Sequence, residues 1–196
     1  MKFNFFPSAS GAFFQLYYKK PKNIDPENKI ILIPQIFKEA YPYERMFEIK
    51  HLLEKKIEAY PEAELFVFPE STFPFPLQEY PQAVTLWSSV MKDKKLLLGS
   101  HRLENQELYN SAFLISSSRI MQCYDKKHTM PFFETPSPVF LFKNVHACFL
   151  QKKKFFTESV LQKNMHIHEK EVCIRICSEL LWDFPKNKSV FLLVKD

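Results

Sequence analysis

Glycine is the first shortage in this chain of 196 residues, which holds two of them, Gly11 and Gly99. So small a supply leaves turns that need positive φ to other residue types. Cysteine is also sparse. Cys123, Cys148, Cys173 and Cys177 are too few, at this length, for a disulfide scaffold. No apolar run approaches the ~18 residues of a membrane span. In the opening MKFNFFPSASGAFF, Pro7 and the serines interrupt any signal-peptide core. There is no internal repeat, no low-complexity tract and no nucleic-acid-binding motif.

What is present is ordinary in bulk and unusual in detail. A hydrophobic fraction of 46% against 25% charged residues is that of a globular chain, large enough for one domain with a sizeable core. Twenty-one phenylalanines offer aromatic filling for that core. The net charge of +5 comes from short clusters such as Lys19-Lys20, Lys126-Lys127 and Lys152-Lys153-Lys154. These read as solvated surface, with an anionic lipid surface as the lesser alternative and nucleic acid disfavoured.

Residues 1–28 lack sustained periodicity and read as a lead-in or linker to a domain at 29–196. Lys29 to Pro34, KIILIP, is a short continuous apolar run suited to a strand buried on both faces. Met46, Ile49, Leu53, Ile57 and Tyr60 recur at helical spacing, predicting an amphipathic helix over 43–60. Leu65 to Phe68 is a second strand, a helix begins at Pro81 in the N1 position, and Lys95 to Gly99 is a third strand. The β-α-β-α-β order predicts a layered α/β domain with right-handed crossovers. Leu108 to Ser116 and Arg119 to Tyr124 predict a hairpin, 172–177 and 189–194 are further strands, and 135–170 show no assignable pattern. The chain stops directly after an apolar strand, which predicts an uncovered sheet edge and a missing or separately supplied segment.

Three reactive residues stand at strand ends. Glu70 follows ELFVFP, Lys126 follows RIMQCYD, and Cys177 breaks the strand in EVCIRICSELLWD. Ligands gather outside the carboxyl ends of strands in open α/β sheets, so the three can converge. A carboxylate can take a thiol proton, the thiolate can attack an acyl carbon, and an ammonium can stabilise the oxyanion. A nearby lysine also lowers a thiol's pKa. Singly, each has a plainer reading: a helix-terminal or surface carboxylate, a solvated lysine, an inert thiol. Zinc is disfavoured. Cys173 and Cys177 lie about 13 Å apart along a strand at ~3.3 Å per residue, too far for two Zn–S bonds of ~2.3 Å. Cys173 then reads as a core thiol, and His166 and His168 as loop or strand polar residues.

The wording around these positions adds a family. VFPESTFPF, then LLLGSHR with LYNSAFLI, then YDKKHTMPFFE, then IRICSEL resemble, in order, the Glu, Lys and Cys blocks of the nitrilase (carbon–nitrogen hydrolase) superfamily. In detail they look most like the apolipoprotein N-acyltransferase family, whose Tyr-x-Lys-x-His-x-x-Pro-Phe-Gly-Glu block is similar to YDKKHTMPFFE and whose first strand resembles ILIPQ. The resemblance spans roughly residues 29–196. It implies an α/β fold, the nitrilase-like four-layer αββα sandwich, with its C-terminal part missing here. It implies Cys177 as nucleophile, Glu70 as general base, Lys126 as oxyanion stabiliser, Glu134 as a second, supporting glutamate and Glu179 as a helper of local geometry. Tyr109-Asn110-Ser111 matches a hairpin block whose role is more structural. Lys127 is set aside because neighbours along a strand point opposite ways and the family lysine matches Lys126.

The family reaction moves an acyl chain from a phospholipid donor to the N-terminal cysteine of a diacylated lipoprotein. It needs no cofactor and takes place on a periplasm-facing domain of the inner membrane, with a membrane-embedded part as partner. This chain departs from the pattern at Phe133, where the family has glycine, and at Ser178, where it has tyrosine. Two other readings stand beside the acyltransferase: a soluble amidase acting on a small amide, and an inactive remnant of the fold.

Overall fold

The short apolar runs form a sheet because they are buried on both sides at once. The computed structural model describes residues 30–33, 40–130, 134, 155–159, 164–167, 171–177 and 179, and the backbone alone of 6–7, 13–14, 170 and 189–193. Within the lead-in, β1 (Phe6–Pro7) and β2 (Phe13–Phe14) pair antiparallel. The main sheet then assembles from β3 (Ile30–Leu32), β4 (Leu65–Val67), β5 (Phe73–Pro76), β6 (Lys95–Glu104), β7 (Glu107–Ser116) and β8 (Arg119–Asp125). Strands β3, β4 and β6 are parallel neighbours, while β6, β7 and β8 continue as an antiparallel meander.

Helix α1 (Pro42–Ala59) connects β3 to β4, and α2 (Pro81–Met91) leads into β6. Both start on a proline, whose missing N–H falls where a helix has no acceptor for it. Each strand of the sheet sends alternate side chains to opposite cores. Phe66, Leu96, Leu98, Phe113 and Ile115 join Met46, Ile49 and Leu53 of α1 and Trp87 of α2 on one face. The indole N–H of Trp87 donates to the carbonyl of Met46 at 2.9 Å, locking the two helices together. Leu65, Val67, Leu97, Ala112 and Leu114 point the other way.

That second face is covered by a smaller sheet of β9 (Met165–Ile167), β10 (Lys170–Ile176) and β11 (Ser189–Leu193). In it β10 pairs antiparallel with β9 and parallel with β11. Met165, Ile167, Val172, Ile174 and Ile176 supply its share of the core. The order helix, sheet, sheet gives three layers of the nitrilase-like sandwich. Cys173 is buried in β10 and His166 is exposed on β9, while His168 and most of 135–170 lie outside the described residues.

Seven non-glycine residues among those described have positive φ: Ser71, Lys92, Asn105, Gln106, Ser117, Ser118 and Cys177. Four of them are the two-residue hairpin loops β6–β7 and β7–β8, which need positive φ at both positions to match the strand twist. The shortage of glycine is met by asparagine, glutamine and serine in these turns.

Candidate active site

Two strands share one edge of β6, and the gap between them carries Glu70. Residues 65–67 of β4 pair with 95–97, whereas Phe73 and Pro76 of β5 pair with Ser100 and His101 further along. The connecting residues 68–72 bulge over Gly99. A Cβ built there would sit 2.4 Å from the Pro69 carbonyl oxygen and 2.6 Å from the Glu70 Cα. Only glycine admits that approach. The Thr72 hydroxyl closes the turn onto the Pro69 carbonyl at 2.8 Å, and the Arg45 guanidinium reaches in from α1 to donate to the Thr72 carbonyl at 3.2 Å. Glu70 is thereby buried.

Lys126 follows the last residue of β8, its backbone N–H donating to the Asn110 carbonyl at 2.8 Å. It is 1% exposed, and its ammonium lies between two carboxylates. It donates to both oxygens of Glu134, at 2.9 and 2.7 Å, and approaches Glu70 Oε1 at 3.5 Å. Burial works to lower its pKa, but Glu70 and Glu134 outweigh burial and hold it above the ordinary lysine value. Lys127 is exposed. Glu134 is fixed in turn by the Met130 N–H, which donates to its Oε2 at 2.6 Å, and its own carbonyl receives the Phe156 N–H at 2.9 Å.

Cys177 ends β10 with φ 48°, a left-handed turn that takes its side chain off the strand's alternation. Its thiol is hydrogen-bonded with Glu70 and lies in the electrostatic reach of Lys126 and Glu134. Glu70, Lys126, Glu134 and Cys177 are thus together, although they come from two sheets. Burial and the Glu70 carboxylate push the thiol up to about 11, and Lys126 only partly offsets them. The expectation that the lysine would hold a preformed thiolate is therefore corrected. At neutral pH the group is a thiol beside a carboxylate that can take its proton.

Glu179 lies one step away and does not join this cluster by any described hydrogen bond. It is buried, and its carboxylate accepts from the backbone N–H groups of Lys127 at 2.6 Å, His128 at 3.3 Å and Ile176 at 2.9 Å, and from the Tyr124 hydroxyl at 3.0 Å. It ties the segment after Lys126 to the residue before Cys177. Burial and the Glu179 charge push the Tyr124 phenol upward, which keeps it a donor. Phe133 and Ser178 lie outside the described residues.

One residue was not singled out for this cluster from the sequence. Asn110, in the middle of β7, donates through Nδ2 to Glu70 Oε1 at 2.5 Å and to Glu134 Oε1 at 3.0 Å, and it is 1% exposed. Its signal was available. Asn110-Ser111 is a buried polar pair interrupting an otherwise apolar strand run. Ser111 answers to a separate pair, its hydroxyl donating to Asp125 at 2.6 Å, where Arg102 also forms a two-bond ion pair.

No family model matches the chain. It is 35% identical over 127 residues to the apolipoprotein N-acyltransferase of Helicobacter pylori (strain ATCC 700392 / 26695), covering 64% of this chain and 28% of that protein. The chain thus spans under a third of the length of the curated relative it matches. Among solved structures, an amidase from Nesterenkonia sp. superposes with a TM-score of 0.59 at 13% identity, covering 86% of this chain and 65% of that one. A carbon–nitrogen hydrolase from Helicobacter pylori G27 gives 0.55 at 14% identity, over 78% and 52%. The glutamine-dependent NAD+ synthetase of Acinetobacter baumannii gives 0.51 at 16%, over 71% and 26%. At these identities the structural likeness is one of fold. The chain has the nitrilase, or carbon–nitrogen hydrolase, fold, and its sequence is similar to that of an apolipoprotein N-acyltransferase.

Proposed function

We propose that this chain, with its carbon–nitrogen hydrolase fold, performs acyl transfer through a thioester on Cys177, with a phospholipid as acyl donor and the N-terminal amine of a lipoprotein as acceptor. The observation that carries the chemistry is the convergence of a thiol, a carboxylate hydrogen-bonded with it and a buried ammonium. The sequence similarity to an apolipoprotein N-acyltransferase supports the substrate class.

The steps follow from the geometry. Glu70 takes the Cys177 proton as sulfur attacks the ester carbonyl, so no free thiolate need accumulate despite the raised thiol. The ammonium of Lys126 has three N–H groups, two committed to Glu134. The third, only loosely engaged at 3.5 Å from Glu70, is the one that can turn to the developing oxyanion. The C–O bond to the lysolipid then breaks, and Glu70 returns the proton to the departing alkoxide. In the second half the incoming amine attacks the thioester, Glu70 accepts a proton from it, and the Cys177 sulfur leaves and is reprotonated. Glu134 neutralises and orients Lys126, and Glu179 fixes the segments on either side.

Among the described residues no helix is long and apolar enough to cross a membrane, so the donor is to be presented in vesicles. Incubated with phosphatidylethanolamine vesicles, the protein is expected to gain the mass of one acyl chain. The adduct should be absent in Cys177→Ala and released by a diacylated peptide with N-terminal cysteine. A folded protein that gains no adduct would sink the acyltransferase reading. The Nesterenkonia amidase takes the acetamide moiety of fluoroacetamide on its active-site cysteine, so alkylation by fluoroacetamide with no acyl adduct, together with ammonia release from propionamide, would favour an amidase.

A further inference from the structure

Asn110 grips three members of the cluster at once. Its amide N–H groups reach Glu70 and Glu134, and its backbone carbonyl holds the N–H of Lys126 at 2.8 Å. The amide Oδ1 finds no hydrogen-bond partner among the described atoms, so the side chain is committed through its donor end. Two carboxylates packed around one ammonium present an electrostatic problem, because each negative charge raises the cost of ionising the other. A neutral donor bonded to both favours the ionised state of both without adding charge.

The titratable groups that face Glu70 are Lys126 after β8, Glu134 on the segment beyond it, and Cys177 after β10. Arg45 of α1 touches the Glu70 turn through the Thr72 carbonyl, and His101 of β6 stands opposite Asn110 in register, its ring edge-on to Phe156. Of these, only Lys126 is a cation within the cluster, and it is shared. Asn110 supplies the second, uncharged source of stabilisation.

Resting on the assignment of Glu70 as the base for Cys177, we infer that Asn110 is a positioning residue that keeps Glu70 ionised and aimed while Lys126 is shared with Glu134. Asn110→Asp has nearly the same shape, but it replaces the shared donor with a third carboxyl group. Asn110→Ala removes the donor and adds no charge.

The test is the pH dependence of Cys177 alkylation by fluoroacetamide, followed by intact mass on the full chain. The unaltered protein is expected to show a rise in rate with an acidic midpoint that belongs to Glu70 and is lost in Glu70→Gln. In Asn110→Asp that midpoint should move upward by about one pH unit, slowing alkylation about tenfold below it. In Asn110→Ala it should move the same way by less. A rate that falls uniformly in both variants with the midpoint unchanged would make Asn110 a packing residue and overturn the inference. An unaltered protein whose rate follows only the thiol, with Glu70→Gln indistinguishable from it, would instead remove Glu70 as base.

Folding of the variants is checked by circular dichroism. Should neither fold, infrared titration of the unaltered chain decides the same question. Both buried carboxyls should stay ionised at pH 7, and a protonated buried carboxyl band assigned through Glu70→Gln would refute the proposal.

Discussion

At the scale of single residues, the close approach at Gly99 makes the sharpest prediction. The atoms that a new Cβ would strike are all backbone, so the Glu70 turn itself must move. Overpacking of this kind costs about 1–3 kcal/mol. Gly99→Ala should lower the melting temperature measurably and, by shifting Glu70 on the order of 1 Å, slow Cys177 acylation about a hundredfold. A variant that loses stability but keeps the full acylation rate would show that the turn relaxes without disturbing the carboxylate. Glu70, Lys126 and Cys177 were legible in the sequence because each follows an apolar run at a strand end. Asn110 was not, because a polar side chain in a hairpin strand is ordinarily a solvent-facing alternate. Only the register, with two sheets covering both faces, buries it among the carboxylates.

At the scale of elements, the short apolar runs and the helical spacing of Met46, Ile49 and Leu53 located β3, β4, β6, β7, β8, β10, α1 and α2 to within a few residues. Strand β5 was missed because Phe-Pro-Phe-Pro carries two residues without an N–H, which argues against a strand on sequence grounds. It pairs with β6 all the same, through an irregular register, and so extends β6 from the expected Gly99 to Glu104. Strand β9 is three residues long, too short for a periodic signal. The turn at Ser117-Ser118 holds both serines at positive φ, which costs about 1–2 kcal/mol for each L-residue that lacks compensation. Replacing the pair by Asn-Gly should therefore stabilise the protein, by roughly 1 kcal/mol in chemical denaturation. An unchanged or lower midpoint would mean that the serines are held by interactions worth as much as the strain.

At the scale of the whole molecule, the shifted groups share a direction. Burial is the first cause acting on the thiols of Cys123 and Cys177 and on the Tyr124 phenol, and it raises all three, with Cys177 at about 11. Lys126 is also raised, by its two carboxylates against the effect of burial. In each case the folded chain binds its proton more tightly than the unfolded one. The stability this contributes is fully present below the unfolded values, about 9 for the thiols and 10.5 for the lysine, and is lost as pH rises through the folded ones. The melting temperature should hold level from pH 7 to about 9 and then fall steeply toward pH 11, with a shallower fall in Cys177→Ala. A curve that stays flat to pH 11 would contradict these shifts.

The two-sheet origin of the cluster has a mechanical consequence as well. Glu70, Asn110 and Lys126 ride on the larger sheet and Cys177 on the smaller one, so the core between them works like a shim that sets the clearance between base and thiol. Thinning it at Leu114 or Ile174, neither of which carries a reacting atom, alters that clearance as directly as a change in the cluster itself.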